Sequence, residues 1–418
     1  MPIDPAELPV PAKIGPWVQP AQSITYDSRR VGPGIAFAAL PGATTHGNAY
    51  LEDALERGAP FVLTDRAGPR AVQVAEPLTA LKVWAEQRRL RLKEPIIAVT
   101  GSVGKTSAKH ALSWGLQLPS PEGNLNTEVA LACFLLGQDS GPLVLELGID
   151  RVGEMDQLVD LVRPDLAAIT AIGAAHLSGL GDLGGVAREK GKIFRGTRFG
   201  LVGPLARAWF PGRPSYGFGG GSWPASQLRF EAGRAHFLAL GRAITVPSPS
   251  AALAEAALLA VVIASELRYD LGDVASRLAE LPPLGGRQRI LSGPLTLIDD
   301  CYNANPLSMQ AALELLARLE GRKVAVLGDM LELGESSQAL HLQVGCLASQ
   351  AADLVFSVGD YRSQLSSRPA RSLEELTAWL LQELREGDTV LFKASRAVGL
   401  ERVLRAVQEK FLGSSEGV

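Results

Sequence analysis

The sequence predicts an α/β chain of three domains. These are a small N-terminal α/β module (1–93), a central domain on a parallel sheet (94–286) and a C-terminal, Rossmann-like doubly wound domain (287–418). Three observations predict it. A chain of 418 residues exceeds one typical domain. From Pro95 onward, nearly continuous apolar runs alternate with helical stretches, the pattern of a parallel sheet covered on both faces. That alternation stops at the turn-rich Leu281-Pro282-Pro283-Leu284-Gly285-Gly286-Arg287 and then restarts.

In the first module, short β-like runs at 35–40 and 61–64 are separated by turns rich in Gly and Pro, with a helix over 50–57. A polar, arginine-rich helix over 78–92 leads to Pro95, which marks the boundary. The central strands are 96–100, 143–147 and 166–172, each followed by a helix: one directly after the first strand, then 155–162 and 186–194. Residues 210–249, richer in Gly and aromatics, read as a β insertion, and 251–267 as a helix. The last domain has strands at 295–299, 323–327, 354–358 and 389–392 with helices between them, and a frayed end over 413–418.

Composition excludes several classes. Apolar residues make up 46% and charged residues 20%, ordinary for a globular protein. A balance of 41 Lys+Arg against 44 Asp+Glu, net −3, leaves no electrostatic footprint for nucleic acid or an anionic membrane. Cys133, Cys301 and Cys346 are too scattered for a disulfide framework or a metal site, which suits a reducing compartment. No signal peptide is visible, and the longest apolar stretch, 251–264, contains Glu255 and is too short to span a bilayer. A cytoplasmic monomer without membrane insertion is expected.

The apolar run 96–100 ends in Gly101-Ser102-Val103-Gly104-Lys105-Thr106-Ser107, the form of a P-loop. Backbone N–H groups of such a loop cradle phosphates, the Lys neutralises them, and the Thr hydroxyl can ligate Mg²⁺. Val99 stands where the general pattern has an early Gly. Ligands of open parallel sheets bind at the carboxyl ends of the strands. Glu146 closes the second central strand and His176 follows the third, so Lys105, Thr106, Glu146 and His176 are expected on one edge, where they offer a Mg²⁺ environment. Two readings of Asn124-Leu125-Asn126-Thr127-Glu128 stand: amides that hold a substrate, or a turn capped by Asn126 or Thr127. Lys190 likewise reads as a surface lysine or as a buried, reactive amine that CO₂ converts to a metal-binding carbamate. Asp299-Asp300-Cys301-Tyr302-Asn303-Ala304-Asn305-Pro306 follows a C-terminal strand with groups able to embrace a base or ribose. Gly328-Asp329-Met330-Leu331-Glu332-Leu333-Gly334 and Lys393-Ala394-Ser395-Arg396 share that carboxyl edge.

Taken together these residues resemble the Mur ligases, ATP-dependent amide-forming enzymes of cell-wall precursor synthesis, essentially end to end. Asp27-Ser28-Arg29 and His46-Gly47 resemble the N-terminal UDP-sugar-binding module, and Thr100 through Thr106 the family's P-loop, which also lacks the early Gly. Ala174-Ala175-His176-Leu177 and Lys190-Gly191-Lys192-Ile193-Phe194 resemble its His and carbamylated-lysine motifs, and Gly286-Arg287 its hinge arginine. The segments beginning at Asp299 and Gly328 are similar to those of the dipeptide-adding branch. The chain departs at Thr127, at Asp150-Arg151 and at Ala394, where the family commonly has Asn, Asn-His and Gly.

The resemblance implies a central P-loop ATPase-like sheet between a UDP-sugar module and a Rossmann-like domain. It implies transfer of D-alanyl-D-alanine to UDP-N-acetylmuramoyl-tripeptide through an acyl phosphate, with ATP and two Mg²⁺ ions. Thr106 and Glu146 would hold one ion, and His176 with carbamylated Lys190 the other. Gly101 to Ser107, Arg287, Asn303 and Asn305 would contact nucleotide. Ser28, Arg29, His46, Gly47, Asn126, Thr127, Asp329, Ser395 and Arg396 would contact the other substrates. The competing readings are a sibling ligase adding the third amino acid, a folylpolyglutamate synthase, and a P-loop protein without catalysis.

Overall fold

The computed structural model describes residues 1–42 and 45–413; the frayed end expected over 413–418 lies outside the described residues from 414 onward. The chain gathers into two compact units. One comprises residues 1–100, 117–169 and 189–201, the other 101–116, 170–188 and 202–418.

In the first unit, Ser23–Thr25, Ile35–Ala38, Val62–Thr64 and Ala71–Gln73 lie side by side in a parallel sheet, with Lys13–Ile14 antiparallel on its far edge. Phe37, Val62 and Ala71 bury their side chains with Val31, Ala54 and Ala59. The predicted helix over 50–57 is Leu51–Glu56, entered through the 3₁₀ turn Gly47–Tyr50. The arginine-rich helix is Pro77–Arg91, with Pro77 in its first turn, where the missing N–H costs nothing. It is less polar in place than in sequence, because Arg88 and Arg89 are buried alongside Leu81, Trp84 and Ala85. The Arg89 guanidinium donates to the carbonyls of Val162 (2.6 Å), Leu92 (2.9 Å) and Arg163 (2.7 Å) and to Asp165 Oδ2 (2.9 Å). Asp165 Oδ2 also accepts from the Ile96 N–H at 2.9 Å, so one pair joins the helix to the first central strand.

Ile96–Thr100 is the heart of the central sheet. All five residues are buried, and it pairs in parallel with both Leu143–Glu146 and Leu166–Ala171. The expected helices follow as Glu154–Val162 and Leu183–Gly191. The second starts earlier than predicted because Asp182 Oδ1 accepts the Gly185 N–H (2.6 Å), and its end tightens into the 3₁₀ turn Lys192–Phe194.

In the second unit, the β insertion is a four-stranded sheet, Tyr216–Phe218, Trp223–Glu231, Arg234–Ala239 and Arg242–Val246 in that order. The helix Ala251–Glu266, capped by Ser250, is apolar on all sides and packs against the P-loop helix Lys105–Leu116. Glu255 is the acid inside this apolar helix, Glu266 being its last residue. Burial first, then the charge of Glu314, pushes its carboxyl up to about 7. An acid with a raised folded pKa contributes full stability below its unfolded pKa and loses it as pH rises through the folded value. Glu255→Gln is therefore expected to leave stability near pH 4 unchanged and to raise it above pH 7, by at most about 3 kcal/mol. Thermal melts across pH check this; equal melts of both proteins at pH 8.5 would refute it.

The C-terminal sheet has the order Arg289–Ser292, Thr296–Asp299, Thr389–Lys393, Lys323–Gly328, Leu354–Val358, Arg368–Pro369, and every pair after the first is parallel. Helices Pro306–Arg318 and Ser337–Ala351 cover one face through Met309, Leu313, Leu316 and Val344. Helices Leu373–Glu383 and Glu401–Leu412 cover the other through Leu376, Leu380, Val403 and Val407. This is the doubly wound arrangement expected. Among the described residues no helix is long and apolar enough to cross a membrane.

Candidate functional site

Four apolar residues drive Ile96–Thr100 into the sheet, and two glycines then turn the chain abruptly into the helix Lys105–Leu116. Gly101 has φ +153° and Gly104 φ +83°. These conformations aim loop N–H groups together at a helix N-terminus, an arrangement suited to phosphate. Lys105 Nζ folds back to donate to Gly101 O at 2.7 Å, which holds its ammonium over the loop. The Ser102 hydroxyl donates to Gly173 O (2.9 Å) and accepts from Gly173 N (3.0 Å), and Thr170 Oγ1 donates to Val103 O (2.5 Å). The loop is thus fixed by the end of the next strand, and the Ser102 side chain serves the loop's own geometry. Thr106 is buried in the first turn of the helix.

His176 sits just beyond, at φ +55°, in the position before the short helix Leu177–Leu180. Its Nδ1 lies 2.5 Å from Glu332 Oε2, and Glu332 is itself at φ +65°. Two non-glycine residues in left-handed conformation thus meet through their side chains, a strain of the kind that clusters at functional sites. Sequence reasoning placed Glu332 in a motif but did not join it to His176; only the 156-residue contact does so. The loop bearing Glu332 rests on buried His341, whose Nε2 accepts from Met330 N (2.9 Å) while Nδ1 donates to Ser337 O (2.6 Å). Accepting at Nε2 needs a neutral ring, and burial pushes its pKa below the ordinary value.

The segment after Asp299 reaches this loop. Asn305 caps the helix Pro306–Arg318, its Oδ1 taking the Ser308 N–H at 2.9 Å, and its Nδ2 donates to Ser102 O at 3.0 Å. Arg287 lies over the Tyr302 ring with its guanidinium carbon 4.0 Å from the centroid, and that of Arg396 is 5.3 Å away. Asn303 Oδ1 accepts from Ala304 N at 2.9 Å. The structure therefore brings Arg287 and Arg396 together at Tyr302, an aromatic that the sequence offered within a polar run, with Asn303 next to it in the chain and Asn305 at the P-loop. Asp329 is buried and spends its carboxylate on the N–H groups of Asp360 (2.6 Å) and Tyr361 (3.0 Å), while Ser395 Oγ accepts from Leu331 N (2.9 Å). A cavity of about 390 Å³ lies beside them, lined by Asp329, Leu331, Arg362, Arg371 and Val398 among others.

In the first unit, Asn126 Nδ2 donates to Glu146 Oε1 at 2.9 Å, which joins two of the predicted residues; Glu146 is buried at its strand end. Thr127 occupies the cap position of the helix Glu128–Leu136, without a side-chain cap bond. Lys190 is fully buried on its helix rather than solvated. Ser28 and Arg29 form a 3₁₀ turn capped by Asp27, which also holds the Arg29 guanidinium (2.7 and 2.8 Å). His46 caps the turn that begins at Gly47, through Nδ1 and the Asn48 N–H (3.1 Å).

Comparison with known proteins matches this arrangement in chain order. Residues 20–96 match the Mur ligase family catalytic domain, 99–202 the Mur ligase middle domain and 286–396 the Mur ligase glutamate ligase domain. The UDP-N-acetylmuramoyl-tripeptide--D-alanyl-D-alanine ligase of Treponema pallidum is 33% identical, over 91% of this chain and 92% of that protein. The crystal structure of MurF from Acinetobacter baumannii superposes with a TM-score of 0.83 at 28% identity, covering 94% of each chain. The MurF ligase of Thermotoga maritima in complex with ADP gives 0.79 at 26% identity, over 93% of this chain and 97% of that one. With three family domains matched in order and a relative at this identity along nine-tenths of its length, the chain belongs to the Mur ligase family.

Proposed function

We propose that this chain is an ADP-forming ligase that joins D-alanyl-D-alanine to UDP-N-acetylmuramoyl-tripeptide. The observation that carries the reading is the bond from Asn305 to Ser102 O: the segment characteristic of the dipeptide-adding branch reaches the P-loop itself. Relatives bearing that name across most of the chain support the acceptor.

The residues suit a nucleotide and divalent cations. A Cβ at Gly101 would fall 2.1 Å from Thr170 Oγ1, so the cradle is built for bare backbone, and Thr106, Glu146 and His176 supply hydroxyl, carboxylate and imidazole donors. Bound Mg²⁺ neutralises charge between substrate carboxylate and γ-phosphate. Lys105 does the same from the protein, and Gly101 to Ser107 hold phosphate oxygens. Arg287, Asn303 and Asn305 orient the nucleotide. The substrate carboxylate attacks the γ-phosphate, ADP leaves, and the dipeptide amine displaces phosphate from the acyl phosphate.

We assign Thr106 and Glu146 to one cation and His176 with carbamylated Lys190 to another. We assign residues 1–93, with Ser28, Arg29, His46 and Gly47, to the UDP-muramoyl-peptide, 94–286 to ATP and 287–418 to closing the site. Asn126, Thr127, Asp329, Ser395 and Arg396 contact the acceptor and donor peptides. The cavity beside Asp329 supports that choice for the dipeptide. A cytoplasmic monomer suits these substrates.

The deciding experiment measures phosphate release from ATP with the tripeptide nucleotide, with and without D-alanyl-D-alanine. Release that needs both and yields the pentapeptide nucleotide is expected; release with single amino acids alone would assign a sibling reaction. Lys190→Ala is expected to bind ATP yet lose product formation by about 10²-fold or more. Normal turnover by that variant would remove the carbamate.

A further inference from the structure

We propose that Lys393 is a positioning residue for the nucleotide, acting through the loop of residues 300–305; the identity of that nucleotide rests on the ATP reading above. Lys393 ends the strand Thr389–Lys393 with its side chain almost wholly enclosed, the residue being 1% exposed. Its ammonium lies 2.8 Å from Asp300 Oδ2 and donates to Asn303 O at 2.9 Å. Asp300 is buried as well, and its N–H donates to Phe392 O at 3.0 Å. Burial pushes the Asp300 carboxyl up, and the Lys393 ammonium opposes that.

A buried ion pair is a poor device for stability alone, since apolar groups of similar volume serve as well or better. Its geometric effect is specific. The ammonium ties the first residue of the loop to its fourth, and so fixes the path of the chain leaving the strand Thr296–Asp299. Between the tied points lies Tyr302, on which Arg287 and Arg396 rest. Two residues after the second lies Asn305, whose amide holds Ser102 O. One side chain therefore sets the placement of the nucleotide-facing Arg287 and of a P-loop contact at once. Misplacement of such groups by about 1 Å is enough to cost about 10²-fold.

The test uses the full chain with Lys393→Met, Asp300→Asn and the double variant. It reads thermal melts, ATP affinity by calorimetry without acceptor, and the KM for ATP and for D-alanyl-D-alanine. Lys393→Met leaves a buried carboxylate alone and is expected to lower the melting temperature. The double variant relieves that charge and is expected to recover most of the melting temperature. Its ATP affinity should nevertheless stay about tenfold or more weaker, with the dipeptide KM within about twofold of the parent. A double variant with parental ATP affinity would make the pair merely structural and overturn the proposal, as would equal losses in both KM values. Should Lys393→Met fail to fold, the double variant and Asp300→Asn carry the same comparison. Affinity for ATP is read without acceptor, so a parent that binds ATP but ignores the dipeptide would overturn only the acceptor assignment.

Discussion

Gly101→Ala is expected to abolish ATP-driven turnover while leaving most of the chain folded. The added Cβ would fall 2.1 Å from Thr170 Oγ1 and 3.1 and 3.2 Å from the backbone nitrogens of Ala171 and Thr170. Thr170 has no easy retreat, because its hydroxyl donates to Val103 O inside the same loop. At φ +153° the alanine is also strained, by about 1–3 kcal/mol. The loop must open, which misaligns its N–H groups and the Lys105 ammonium together. Loss of one preorganised donor alone costs about 10²–10³-fold, so losing several should take phosphate release below detection. Gly241→Ala is the control: Gly241 sits at φ +74° in open space, and its substitution should cost some stability but no activity. ATP affinity and phosphate release, with melts to verify folding, decide it; parental activity in Gly101→Ala would refute the loop's role.

The largest expected loss of stability comes from Arg89→Met. Methionine fills part of the volume but leaves the carbonyls of Val162, Leu92 and Arg163 without this donor and Asp165 without its guanidinium. Each stranded buried acceptor costs about 1–3 kcal/mol, and the Val162 and Leu92 carbonyls are two such; Asp165, more than a third exposed, rehydrates and adds little. A destabilisation of about 3–5 kcal/mol is expected in denaturant titrations. Arg91→Met, two positions along the same helix, removes an exposed pair with Glu7 and should cost under about 1 kcal/mol. Equal midpoints for the two variants would show that Arg89's bonds add nothing.

Much of the fold was legible because parallel strands buried on both faces are written as apolar runs, as in Ile96–Thr100 and Lys323–Gly328. Strands at the margins were not. Lys13–Ile14 is too short to show a period, and Phe199–Leu205 carries Gly200, Gly203 and Pro204, which weaken a strand signal. Arg289–Ser292 was hidden behind the turn-rich linker. In the site, the P-loop could be read because its chemistry is local in sequence. The pairing of His176 with Glu332, and of Asn305 with Ser102 across 203 residues, could not, since no periodicity encodes which loop ends meet. Nor did composition reveal that Arg89 and Lys393 are interior: a charged residue in a helix or at a strand end reads as solvated until its partners are seen.

The packing of Lys105–Leu116 against Ala251–Glu266 has a consequence for synthesis on the ribosome. The P-loop helix emerges early, yet its covering helix follows some 140 residues later. At about 5–20 residues per second, Ala108, Ala111 and Leu112 wait many seconds without their native cover. The apolar helix that relieves them is itself a long hydrophobic stretch as it leaves the tunnel. A nascent chain halted near residue 250 should thus engage chaperones, and one released beyond residue 290 should not.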